Sequence, residues 1–238
     1  SFPTRRSSDL SIDEVRISNI VRNQSWIRTE YNSQQFNSDF LSVSLEMTQL
    51  PPIIDTVYVD DDFDISTTGW ETTHFDTIQE GIDAVEENGS IYVNNGMYYE
   101  TLIVNKTVIL LGEDKDFTLI NGSAGENVVN ISADGVTISG FGVNNYGVNT
   151  GINVLSNNCT INGNNISNNE YGLFLTDGHG NVIYNNYLNN SINAFDSGLN
   201  KWNISMTTGT NIVGGSYLGG NFWNDYSGSD SDGDGLGD

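Results

Sequence analysis

Between Asp134 and Gly198 the chain says nearly the same thing three times. The run Gly135-Val136-Thr137-Ile138-Ser139-Gly140-Phe141-Gly142-Val143-Asn144-Asn145 returns as Asn158-Cys159-Thr160-Ile161-Asn162-Gly163-Asn164-Asn165-Ile166-Ser167-Asn168, and again as Gly180-Asn181-Val182-Ile183-Tyr184-Asn185-Asn186-Tyr187-Leu188-Asn189-Asn190. Ile138, Ile161 and Ile183 fall in register at spacings of 23 and 22 residues; so do Val143, Ile166 and Leu188, and Asn145, Asn168 and Asn190. A fixed period near 22, made of short alternating apolar runs broken by Gly and Asn, is the mark of a solenoid. Each repeat is then too small to bury its own apolar face and does so against its neighbours.

The residue types choose among solenoids. Leucine-rich repeats of similar length need Leu at fixed offsets and a helical return, whereas these slots hold Ile, Val and Phe between Asn and Gly, which favours strands and tight turns. The expected fold is all-β: a right-handed parallel β-helix of roughly six coils, about 29 Å long at about 4.8 Å per layer. Inward residues stack as apolar columns, and turn asparagines stack into amide ladders. The open first coil needs a cap. Residues 76–88 supply an amphipathic helix, with Phe75, Ile78, Ile82 and Val85 at helical spacing, Asp76-Thr77-Ile78-Gln79 as a capping box and Gly89 as the stop.

Charge removes one function class. A net charge of −23, with three Lys and no Arg after residue 60, cannot neutralise a phosphate backbone, so nucleic acid is excluded as a partner. The single cysteine, Cys159, forbids an intrachain disulfide and shares the repeat slot of Val136, as a small core residue would. No run approaches the 18 apolar residues of a membrane-spanning helix. Nine Asn-x-Ser/Thr sequons, among them Asn105, Asn121, Asn130 and Asn165, agree with an extracellular location but arise readily in so Asn-rich a chain.

Several segments resemble known families. Residues 1–10 read as the translation of a sequencing adapter and are set aside. Ser11-Ile12-Asp13-Glu14-Val15-Arg16-Ile17-Ser18-Asn19 and Trp26-Ile27-Arg28-Thr29-Glu30-Tyr31-Asn32 resemble the last strand and tail of a laminin-G-like, concanavalin-type jelly roll, making residues 11–36 its remnant and 37–55 a linker. From 56 to 226 the chain resembles the NosD-like β-helix repeat proteins, especially relatives in archaeal surface proteins. That resemblance rests on Val57-Tyr58-Val59-Asp60-Asp61-Asp62, Phe75-Asp76-Thr77-Ile78-Gln79, Asn95-Gly96-Met97-Tyr98-Tyr99-Glu100, Asp134-Gly135-Val136-Thr137-Ile138-Ser139-Gly140-Phe141 and Leu218-Gly219-Gly220-Asn221-Phe222-Trp223-Asn224-Asp225-Tyr226. It implies the fold; a fold this widely shared names no chemistry.

The sharpest chemical motif is terminal. Asp230, Asp232, Asp234 and Asp238, separated by Ser231, Gly233 and the Gly235-Leu236-Gly237 run, place carboxylates at nearly alternate positions, as in the first half of an EF-hand-type or thrombospondin-type calcium loop. Residues 227–238 are therefore expected to bind calcium in an intact, longer protein, with an acidic tether as the alternative. Copper, which the NosD resemblance implies, needs imidazole, thiolate or thioether donors. His74, His179, Cys159, Met47, Met97 and Met206 show no ligand spacing.

Polysaccharide lyases and polygalacturonases also use this fold. Gly178-His179-Gly180 beside Asp177 resembles a hydrolase motif, but the slots one coil away, Leu155, Ser156, Ser197 and Gly198, hold no opposed carboxylate. No catalytic residue is assigned. Tyr146, Tyr171, Tyr184 and Tyr187, interleaved with Asn amides, suit stacking on sugar rings, or else they shield the coil edges. The function expected is a cell-surface or secreted adhesive and architectural module that binds polysaccharide or cell-surface glycans without cleaving them; the alternative is a β-helix carbohydrate-active enzyme.

Overall fold

A computed structural model describes residues 53–122 and 125–229. The expectations placed on residues 1–52 and 230–238, which are the adapter, the jelly-roll remnant, nearly all of the linker and the terminal acidic loop, lie outside the described residues.

The chain winds as a right-handed parallel β-helix with three parallel sheets along its length. The first sheet has seven strands. Thr56–Val59, Ser90–Val93, Ile109–Gly112, Thr137–Ser139, Thr160–Asn162 and Val182–Tyr184 stack in sequence order, and short His74–Phe75 lies at the edge beyond Thr56–Val59. The second sheet runs Gly96–Tyr98, Thr118–Asn121, Gly142–Asn144, Asn165–Ser167, Tyr187–Asn189 and Phe222–Trp223. The third runs Leu102–Val104, Val129–Ile131, Thr150–Val154, Tyr171–Leu175 and Ile192–Asp196. Five coils thus give one strand to every sheet, and partial coils lie at each end.

Register follows the repeat. Ile138, Ile161 and Ile183 pair across the first sheet, and Val143, Ile166 and Leu188 across the second, all essentially unexposed. Period-2 alternation turns their neighbours outward, so a slip of one residue would reverse core and surface. The asparagine column departs from the aligned repeat. Asn190 accepts at Oδ1 from Asn169 Nδ2 at 2.8 Å, while Asn168 turns outward in the left-handed region at φ 57. The turn beside the third sheet is one residue out of phase with the strands, which alignment of Asn168 with Asn190 hides. A second ladder, Asn164–Asn186–Asn221, runs through buried Asn164 and Asn186 with Nδ2 to Oδ1 distances of 3.1 and 3.0 Å.

The cap helix spans Ile78–Ala84, shorter than the expected 76–88. Thr77, rather than Asp76, is the N-cap: it is extended, and its Oγ1 accepts from the Glu80 amide at 3.3 Å. Val85 leaves the helix because its side chain is needed in the core, and the next amide, at Glu86, donates to Ile54 O at 2.7 Å. Gly81 permits the close seat of the helix, since a Cβ there would stand 2.8 Å from Val59 Cγ2. The Glu100 carboxylate, from the following coil, accepts from the amides of Ile78 and Gln79 at 2.8 and 2.9 Å and fastens the helix N-terminus.

Candidate functional site

Several outward strand positions carry aromatic side chains, most of them half-buried. Tyr171 belongs to the third sheet and meets Phe174 edge-on at 5.2 Å, and Phe174 stacks on Phe195 at 4.8 Å. Tyr187 belongs to the second sheet and stacks on Phe222 at 4.6 Å. Tyr184 lies on the first sheet opposite Asn162. Tyr146 sits in a turn at φ 53, 64% exposed. The four tyrosines therefore occupy three faces and a turn, and no one groove holds them. Stacking between successive coils follows from the strand spacing itself, which matches aromatic contact distance.

His179 lies exposed on a turn. Its amide donates to Asn157 Oδ1 at 3.0 Å, and its Nδ1 accepts from the Leu199 amide at 3.1 Å. Both contacts are those of a turn stacked between turns. Cys159 is wholly buried, its Sγ 3.3 Å from Ser156 Oγ, and burial raises its thiol pKa. His74 is held between Tyr58 and Phe63, with Nδ1 3.0 Å from Thr73 Oγ1. Met97 and Met206 are exposed on other parts of the surface.

Among the described residues, one group of His, Cys, Asp or Glu is close enough to share an ion: Asp60, Asp61 and Asp62. Its oxygens already accept from Asn94 Nδ2 at 2.8 Å and from the amides of Asp62 and Met97 at 3.1 and 3.0 Å. Burial, and then the Asp60 and Asp61 charges, push the neighbouring Tyr98 phenol above its usual range.

A concave feature lies at the C-terminal end of the described residues. After Ile192–Asp196 the chain returns to the first sheet through the Val182–Lys201 bridge, then breaks the 22-residue period. It departs as an antiparallel pair, Thr207–Thr208 with Tyr217–Leu218, and rejoins the second sheet at Phe222–Trp223. Three contacts fix the excursion: Ile212 N to Asn185 Oδ1 at 2.7 Å, Ile204 N to Gly219 O at 2.8 Å and Gly209 N to Ser216 O at 3.0 Å.

Between excursion and coil lies a cavity of about 700 Å³, floored by Trp202 and Trp223 and bordered by Met206, Phe222 and the amides of Asn203 and Asn224. The indole rings lie 5.4 Å apart at 46°, and both also pack on the core. Asp196 sets Trp202 by accepting its Nε1 proton at 2.8 Å, while its other oxygen accepts from Gly198 N and Asn200 Nδ2. Among the described residues, no Asp, Glu, His, Lys or Arg lines the cavity. Sequence reasoning passed over these residues. The available signal was the loss of the repeat after Lys201, with two of the four tryptophans in the broken stretch.

Stacked parallel coils, an inner apolar column on each sheet and amide ladders at the turns define a parallel β-helix protein. More particularly, residues 17–228 match the family described as "Periplasmic copper-binding protein (NosD)", and the chain belongs to that family. A search of curated proteins finds no match. Among solved structures, a pectin methylesterase from carrot is similar at 17% identity over 58% of this chain and 52% of that one, with a TM-score of 0.42. Pectin methylesterase PemA from Erwinia chrysanthemi is similar at 14% identity over 56% and 54%, with a TM-score of 0.35. The chain spans about half the length of each.

The family match corrects the cofactor expected from sequence. The family is described by copper, which overturns calcium as the cofactor expected at Asp230, Asp232, Asp234 and Asp238. The described residues do not fit copper either. Copper takes imidazole, thiolate or thioether donors, whereas among the described residues these lie apart: Cys159 in the core, half-buried His74 beside Tyr58 and Phe63, His179 on an outer turn. The one acidic cluster offers hard oxygens alone.

Proposed function

We propose that this β-helix is a non-catalytic, polysaccharide-binding module of the periplasm or cell surface, with an adhesive or architectural role. The observation that carries the reading is the C-terminal cleft, where two tryptophans and side-chain amides meet and where, among the described residues, no carboxylate, imidazole or cation lines it. Aromatic faces match the apolar faces of sugar rings, and amides match their hydroxyls. Hydrolysis would need two carboxyl groups facing one bond, and elimination a base; among the described residues the lining has neither. The chain's net charge of −23 keeps such molecules soluble and apart. The family description supports a location outside the cytoplasm, and no helix among the described residues is long and apolar enough to cross a membrane.

Affinity electrophoresis through gels containing neutral or acidic polysaccharides tests binding, and reducing-end and unsaturated-uronide assays test cleavage. Retardation without product release is expected. Release above the level of a His179→Ala control would overturn the reading in favour of a β-helix carbohydrate-active enzyme.

A further inference from the structure

We infer that the C-terminal cleft selects uncharged oligosaccharides and rejects uronates, with the Trp202–Trp223 pair as the stacking platform; this rests on the polysaccharide-binding reading. Asn203 makes no side-chain hydrogen bond among the described residues, and the Nδ2 groups of Asn185, Asn211 and Asn224 donate to nothing there, although the Oδ1 atoms of these three are engaged. Four amides with unused donors around an aromatic floor form a hydroxyl-binding lining. The floor and the wall are fixed before any ligand arrives, by Asp196 beneath Trp202 and by the Asn185–Ile212 bond.

Charge then decides the class of sugar. A uronate brought into a cleft must exchange its water for a cation or for several well-placed donors, and a carboxylate left unpaired is strongly disfavoured. The described residues contain three lysines, Lys106, Lys115 and Lys201. Lys106 Nζ donates to Asp83 O and Val85 O, at the other end of the solenoid, and Lys115 pairs with Asp116. Lys201 is exposed and adjoins Trp202 in sequence, outside the lining. Asp196 lies behind Trp202, and Asp225 is beside lining residues Asn224 and Tyr226. Among the described residues, a polyuronate would therefore approach two carboxylates, Asp196 and Asp225, with Lys201 as the single nearby cation, while a neutral hexose or pentose chain meets no such opposition.

The test titrates the full chain, followed by tryptophan fluorescence and calorimetry, with xylo-, manno- and cello-oligosaccharides and with galacturonan oligomers of equal length. Neutral oligosaccharides should bind and perturb the indole emission, and galacturonan oligomers should bind at least tenfold more weakly, about the factor that one lost favourable contact represents. Trp202→Ala should weaken neutral binding about tenfold. Because that change also uncovers the core, Asn203→Ala and Met206→Lys serve as exposed-residue variants. The first should weaken neutral binding severalfold, and the second should raise affinity for galacturonan. Tighter binding of galacturonan than of neutral oligomers, or neutral binding unchanged in all three variants, overturns this inference and leaves the polysaccharide-binding reading standing. No binding of either class sinks both.

Discussion

Asn186 donates and accepts from one buried turn slot, which makes Asn186→Ala a sharp test of the amide ladder. Its Nδ2 donates to Ile161 O at 2.9 Å, Tyr184 O at 3.0 Å and Asn221 Oδ1 at 3.0 Å, and its Oδ1 accepts from both the backbone N–H and the Nδ2 of Asn164 at 3.1 Å. Alanine would leave the buried Asn164 N–H without that acceptor, at about 2 kcal/mol within the range for an orphaned buried donor. The lost donations to two carbonyls and to Asn221 add about 1–2 kcal/mol, a modest sum because carbonyls tolerate the loss better than amides do. Asn164 Nδ2 still donates to Ile138 O and Asn162 O and contributes little. The total is about 3–4 kcal/mol, a large fraction of the stability of an ordinary domain. At about 2–4 °C per kcal/mol for a chain of this size, Tm should fall by roughly 6–16 °C. Circular dichroism on heating reads this directly, and hydrogen exchange should report faster exchange at residues 161–166. The nearby Asn162→Ala, which removes one bond to Ser139 Oγ from a half-buried side chain, should cost about 1 kcal/mol or less. A Tm within about 2 °C of wild type for Asn186→Ala, or equal shifts for the two variants, would refute the ladder as a source of stability.

Ile161→Asp should abolish cooperative unfolding, because an unpaired charge would sit in the inner column between Ile138 and Ile183; a superimposable melting curve would show the register to be wrong. Gly140→Ala should lower stability by about 2 kcal/mol or more, since Gly140 has φ 84 and a Cβ there would collide with the carbonyl oxygen of Gly112 on the preceding coil. Full stability in a denaturant titration would contradict that contact. Burial raises the Glu100 pKa above its ordinary 4.5 against the lowering pull of the Ile78 and Gln79 amides, and Glu80 and Asp76 raise it further. A carboxyl raised on folding contributes stability that is full below its unfolded pKa and is lost as pH rises through the folded value. The stability of wild type relative to Glu100→Gln should therefore fall on going from about pH 4 toward neutrality, and a difference independent of pH would count against the shift.

The winding was legible in the sequence because a solenoid writes its tertiary contacts into its period. Ile138, Ile161 and Ile183 meet through space for the same reason that they align on paper: each coil returns the chain to the slot above, and only a β-branched or long aliphatic side chain fills it. The cap helix was legible through its apolar spacing. Its N-cap was not, because Asp76 and Thr77 are both good capping residues and the choice falls to the backbone direction that Phe75 takes beside Val59.

The surface is where the period stopped informing. Alternation says that Tyr171, Tyr184 and Tyr187 point outward, but a coil has three faces, and the bends between strands decide which face each tyrosine joins. Stacking along the axis could be counted in residues; position around the axis could not. The cleft lay furthest from view, since it forms only when a non-repeating excursion folds back and Asn185 and Ile212, 27 residues apart, close its wall. Sequence alone therefore determined the core columns, the sheets and the acidic exterior, each set by local alternation and a constant period. Only the tertiary structure brought Trp202 and Trp223 together over the end of that core, because their contact depends on how far the chain travels before it returns.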